Sequence, residues 1–240
     1  TGKEHTSLYV SAQKVRKNAL EFYRMFELDN DAYSFISALT LGYKHDLTNE
    51  LQEAFRASGT AHVLAVSGLH VGVIYGIFAF LFSFLGKTGG RFVIKQIMTI
   101  AALWLYAFVT GLSPSVLRST LMLTIASVGW MRGRSGFTLN TLAAAAFFIL
   151  FLNPMSLFNV GFQMSFIAVL AILSFSPVLD SLYQPKNKII KKSWGLFSVS
   201  ISAQAGIFPI ALHYFGTFPT FFFIANMLIV PLIGVIIYAC

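Results

Sequence analysis

The sequence predicts an all-α membrane protein, a polytopic bundle of about seven transmembrane helices preceded by short extracytoplasmic helices. Three observations predict it. Hydrophobic residues fill 56% of the 240 positions and charged residues only 11%, where soluble domains carry about 25% charged residues. Residues 59–85 form a run of 27 without Asp, Glu, Lys or Arg, longer than the roughly 20 that cross a bilayer. Beyond that run the cations fall in alternate loops, the pattern a membrane topology leaves.

The first 58 residues read as a helical lead, extracytoplasmic or on the membrane surface. Residues 7–28 interleave Val10, Ala19, Phe22, Tyr23 and Phe26 with Lys14, Arg16, Lys17, Glu21 and Arg24. That pattern suits a soluble helix or one lying on a bilayer. Residues 31–43 suggest a second, more apolar helix, with Asp31 as N-cap and Gly42 as stop. Residues 48–58 suggest a third, capped by Asp46 or Thr48 and ended by Gly59. The plainer reading of all three is a packing collar without chemistry.

The membrane domain is then expected over residues 59–240. Its spans are placed at about 62–85, 92–110, 115–131, 138–152, 157–176 and 194–212, with a seventh from about 220. Ser113 is the expected N-cap of the third, with Pro114 at its first position. The chain begins without Met and stops inside an apolar run, as a fragment of a longer protein would. Its one cysteine, Cys240, allows no disulfide within it.

Residues 1–61 hold seven Lys/Arg and eight Asp/Glu; residues 62–240 hold ten Lys/Arg and one acid, Asp180. Alternating the loops across the membrane puts Lys87, Arg91, Lys95, Arg132, Arg134, Lys186, Lys188, Lys191 and Lys192 on one side. The loops near 112, 154 and 216 on the other side carry no charge. The positive-inside rule makes the cationic side cytoplasmic and puts the N-terminal segment outside.

Arg118 is the tenth cation and the exception, about one turn inside the third span. It either snorkels to the interface or presents a fixed charge to an internal path, where it could meet a phosphate. Gly68, Gly72 and Gly76 recur every four residues, a smooth stripe suited to helix packing. Beside it stand His62, Ser67 and His70. The two histidines are about 12 Å apart along a continuous helix, too far to share one ion, so no metal is expected. Ser67 and His70 lack an acid to orient a triad. Asn159 and Gln163 lie four apart, hence on one face. Gln204 and Asn226 sit in spans interrupted by Pro209 and Pro231, and such polar, broken helices often line a transport path. No Walker loop, HExxH, GxSxG or Cys/His cluster is present, and no cofactor is implied.

At these residues the sequence resembles the membrane-embedded competence domain of the ComEC family, the DNA-uptake channel of natural transformation. The main block is LTLGYKHDLTNELQEAFRASGTAHVLAVSGLHVG, residues 39–72. Further blocks are GLSPSVLRSTLM (111–122), NPMSLFNVGFQMSFIAVLAI (153–172) and SAQAGIFPIALHYFGTFPTFFFIANMLIVPL (202–232). The resemblance implies a channel passing single-stranded DNA from outside into the cytoplasm across the cytoplasmic membrane. It also implies partners: the lipid bilayer, and competence proteins that deliver DNA outside and pull it inside. An oligomer is compatible with it. The nuclease-like domain of the family would lie elsewhere in the full-length protein, so this piece is expected not to be an enzyme. Arg118, Ser67, His70, Asn159, Gln163, Gln204 and Asn226 are the candidate path residues. The competing readings are a small-solute or lipid transporter with kinked helices, and an intramembrane enzyme using His62, Ser67 and His70.

Overall fold

The first helix, α1, runs Gly2–Arg24 and the second, α2, Asn30–Leu41. Gly42 stops α2 as expected: it takes a left-handed φ of 68°, and its N–H bonds to Ala38 O while Tyr43 N–H bonds to Ser37 O. That paired return satisfies the last carbonyls of the helix. Asp31 is not the cap. The helix starts earlier, at Asn30, with Asp29 in the cap position, and Asp31 falls in the first turn. There its carboxylate still meets the positive end of the helix dipole.

The computed structural model describes residues 2–26, 29–43, 46–48, 50, 53, 68–86, 88–134 and 137–216. Most of the expected helix over 48–58 and all of the expected span from 220 onward lie outside the described residues, though 50 and 53 are helical. So do His62, Ser67 and Asn226.

Six further helices follow among the described residues. They are α3 (Gly68–Leu81, continued by a 3-10 turn at Phe82–Leu85), α4 (Gly89–Val109), α5 (Pro114–Met131), α6 (Leu139–Leu152), α7 (Val160–Leu182) and α8 (Lys188–Phe215). No strand occurs among the described residues. Ser113 and Pro114 open α5 as the sequence suggests. Thr138 and Thr141 cap α6 reciprocally, each side chain taking the other's backbone N–H, a threonine form of the capping box. The fifth span differs from the expected 157–176. A 3-10 turn at Pro154–Phe158 delays its start, and the helix carries Pro177 within its length before ending at Leu182.

Three described helices are long and apolar enough to cross a membrane: Gly89–Val109, Val160–Leu182 and Ile190–Tyr214. His70–Leu85 and Leu139–Leu152 are apolar but shorter.

The helices run alternately up and down. Ala107, late in α4, packs with Val116, early in α5, and Val71, early in α3. At the other end, Tyr75 donates to Gln96 Oε1 (2.9 Å) and accepts from Ser127 (3.2 Å). A second cluster, Met122, Leu142, Ala145, Phe162 and Phe166, joins α5, α6 and α7. On α8, Ser198 bonds to Ser176 of α7, and Trp194 donates to the Leu179 carbonyl. The described link residues 86, 88, 132–134, 137–138 and 183–187 therefore sit at one end of the bundle, and 110–113 and 153–159 at the other. Arg91, Arg132, Arg134, Lys186, Lys188, Lys191 and Lys192 are exposed at the first end.

Large apolar side chains such as Leu105, Phe147 and Phe151 point outward, as lipid rather than water would require. Helix α1 lies at the weakly charged end, where Gln13 donates to Gly111 O (3.0 Å). Arg24 donates to the Tyr33 hydroxyl (3.3 Å), which raises its pKa above the ordinary arginine value.

The Tyr75 junction is testable. Tyr75→Phe leaves Gln96, buried in the bundle, without its donor. A loss of about 0.6–1.7 kcal/mol is expected from a hydrogen bond in this setting, read as a lower unfolding midpoint in detergent with unchanged helix content.

Candidate functional site

Arg118 enters the bundle because Ser113 and Pro114 fix where α5 begins, setting the arginine about one turn inside. Its side chain is half-buried, and its Nε is enclosed without a hydrogen-bond partner among the described residues. No described carboxylate forms an ion pair with it; the ion pairs are Lys17–Glu21 and Arg24–Asp46.

The guanidinium reaches the start of α7. Its Nη2 lies 3.2 Å from the point where a Cβ on Gly161 would stand, and Asn159 Oδ1 lies 3.1 Å from that point. Gly161, which sequence reasoning passed over, therefore leaves the room that the guanidinium occupies. Its only sequence signal was a glycine two residues after Asn159. The amino ends of α5 and α7 meet at this arginine, and both carry the partial positive charge of a helix start.

Asn159 and Gln163 do not share a face inside a span. Asn159 is the N-cap of α7, its Oδ1 accepting from Phe162 N–H (3.2 Å). Gln163 sends its Nε2 back to Leu157 O (2.9 Å). The 3-10 turn before α7 is what moves Asn159 from helix interior to cap. Asn159 stays beside Arg118, and both amides lie at the same end of the bundle.

The glycine stripe divides. A Cβ on Gly68 would stand 3.0 Å from Ser119 Oγ, next to Arg118 in sequence. At Gly72 and Gly76 no described atom comes within 4 Å, and both are exposed. Packing along the whole stripe is therefore not what the described residues show. The buried side of α3 carries His70, Val71 and Ile74, and at 100° per residue Gly72 and Gly76 point away from it.

His70 is fully buried in the α3–α5 interior. Gln204 is half-buried on α8, on the side away from Ser198, Ser202 and Gly206, which face α7. The structure thus brings Arg118 and Asn159 together beside Gly161. A polar cavity of about 500 Å³ lies elsewhere, lined by Arg24, Asn30, Tyr33 and Asp46 of the lead. Gln96 and Ser127, both bonded to the Tyr75 hydroxyl toward the opposite end, were also missed; a glutamine inside a span was the available sign.

Comparison with known proteins gives a consistent result. The competence protein family profile matches residues 39–240. ComE operon protein 3 of Bacillus subtilis is 33% identical over 219 residues, 90% of this chain and 26% of the relative. Competence protein ComA of Neisseria gonorrhoeae is 29% identical over 178 residues, 72% of this chain and 25% of the relative. Recombination protein 2 of Haemophilus influenzae is 26% identical over 206 residues, 81% of this chain and 26% of the relative. The chain spans about a quarter of the length of these curated relatives. No solved structure matches it.

Proposed function

The chain belongs to the competence protein family, and from that premise we propose that it is a transmembrane channel passing single-stranded DNA from outside into the cytoplasm during natural transformation. The observation that carries the site is Arg118, a half-buried guanidinium without a carboxylate partner among the described residues. An uncompensated charge at membrane depth is costly and marks a functional position by default. A phosphodiester is the partner it lacks, because charge-assisted bonds from Arg to phosphate are among the strongest polar contacts.

The proposed direction follows from charge. Strand phosphates meet Arg118, Asn159 and Gln163 at the weakly charged, outer end. They leave past the lysines and arginines of the cytoplasmic end, where a positive field raises local anion concentration. Ser67 and Asn226 belong to the same proposed path. In this reading the N-terminal segment is outside the cytoplasmic membrane, and other competence proteins deliver the strand and draw it in. No chemical step is assigned to this piece of the protein. Pro177 and Pro209 within α7 and α8 also suit a small-solute or lipid transporter.

One experiment separates the two. A photo-crosslinking residue is placed at Ser115, one turn before Arg118 on α5 and half-buried, and at Phe147, which points outward from α6. Incoming DNA is stalled by a bulky protein block on its trailing end. An adduct at 115 but not 147 is expected. Uptake that proceeds with no adduct at 115 would remove the strand from this path.

A further inference from the structure

Helix α1 precedes the family match, which begins at residue 39, and one of its edges is largely uncovered by the described residues. Ala12 and Leu20 are buried against the bundle. Leu20 packs with Tyr33 and Leu41, and Val109 of α4 joins that cluster. Leu8, Val15 and Phe22 recur at seven-residue spacing on the neighbouring edge. Leu8 and Phe22 are 60% and 56% exposed, and Met25 and Phe26 continue the apolar edge past the helix end at 78% and 60%. The Phe22 and Phe26 rings pack edge to face, centroids 5.1 Å apart. The edge from Leu8 to Phe22 is about 21 Å long at 1.5 Å per residue.

We infer that α1 is an interfacial helix whose Leu8–Phe22 edge is seated in the outer surface of the lipid bilayer. Height is the first argument. Gln13 bonds to Gly111 O, two residues beyond the membrane-capable helix Gly89–Val109. Arg16 lies close to the same glycine and over the Tyr43 ring, 5.9 Å from its centroid. The helix is thereby held where a span leaves hydrocarbon, and an edge facing outward from the bundle at that level meets acyl chains.

Charge is the second argument. Lys17, Glu21 and Arg24 lie on the side of α1 opposite the apolar edge, by helical angle. Among residues 8–26 the cations Lys14, Arg16, Lys17 and Arg24 outnumber Glu21, a net of +3. An apolar edge opposite a charged face, on a helix whose net charge is positive, is the distribution that holds a helix in the headgroup layer, its apolar side about 5–10 Å deep. Aromatic rings at the helix end suit the same layer. The bilayer anchoring stands independently of what passes through the bundle.

The test uses the chain carrying Cys240→Ser, with one cysteine introduced at a time by Phe22→Cys, Leu8→Cys or Lys17→Cys. Each is labelled with an environment-sensitive dye and reconstituted in vesicles of phosphatidylcholine with a minority of phosphatidylglycerol. Spin-labelled acyl chains should quench the dye at 22 and 8, with little quenching by aqueous iodide. The dye at 17 should show the reverse. Equal iodide access at 22 and 17 would overturn the inference. So would disulfide cross-linking between two copies at position 22 without lipid quenching, since a second copy would then occupy the edge.

Discussion

Gly206→Ala is expected to destabilise the α7–α8 pair by about 1–2 kcal/mol. The added Cβ would stand 2.5 Å from Ala171 Cβ and 3.1 Å from the Ile167 carbonyl oxygen. Neither atom can rotate aside, so the helices must part. Overpacking costs about 1–3 kcal/mol, and the better helix propensity of alanine returns at most about 1 kcal/mol. The clash therefore wins. Parting the helices also strains the Ser176–Ser198 bond (3.3 Å) one to two turns away. Gly206→Leu should prevent stable folding of the pair.

The check is a double-mutant cycle in detergent, read as the unfolding midpoint. Ala171→Gly should restore most of what Gly206→Ala loses, because it removes the atom being struck. Gly195→Ala, on the same helix with no atom within 4 Å, should be neutral or stabilising. If Gly206→Ala and Gly195→Ala behave alike, the close approach at Gly206 does not hold α7 to α8.

Helix ends were legible in the sequence where a residue dictates local backbone. Gly42, Ser113 with Pro114, and Thr138 each stand at the end or start they suggested. The separation of cationic from weakly charged loops was also legible, because charge placement is read directly from order along the chain. Side-chain environment was not. Spacing showed that Gly68, Gly72 and Gly76 share a face, yet only Gly68 meets a described neighbour. Spacing left His70 open between packing and lining a path, and it is fully buried. In a soluble helix an apolar stripe marks the side toward the core. In a span, lipid and protein neighbours are equally apolar, so the stripe loses that meaning.

The Arg118 site was half legible. One cation standing apart from nine others drew notice from sequence alone. Its partners did not, because they depend on where α7 starts. The 3-10 turn at Pro154–Phe158 sets that start, turning Asn159 into a cap and placing Gly161 under the guanidinium. A proline after Asn153 offered a turn signal, but no rule of spacing ties it to a residue some forty positions earlier.

Arg118→Ala is expected to reduce DNA uptake by about tenfold to a hundredfold while leaving folded protein at its normal level. The two halves of that expectation have separate causes. A charge-assisted hydrogen bond contributes about 1.5–3 kcal/mol, and losing one to a phosphate slows passage accordingly. Stability moves the other way or not at all, because removing a cation without a described carboxylate partner relieves a desolvation cost. Arg118→Lys keeps the charge but not the planar fork, so uptake should fall between wild type and alanine. Gly161→Ala should mimic part of the defect, since its methyl would press on Nη2 and Asn159 Oδ1 and shift the flexible end of the arginine. Uptake measured at matched protein level decides the matter. A purely structural arginine would lose stability and uptake together; unchanged uptake in Arg118→Ala would take Arg118 out of the strand's path.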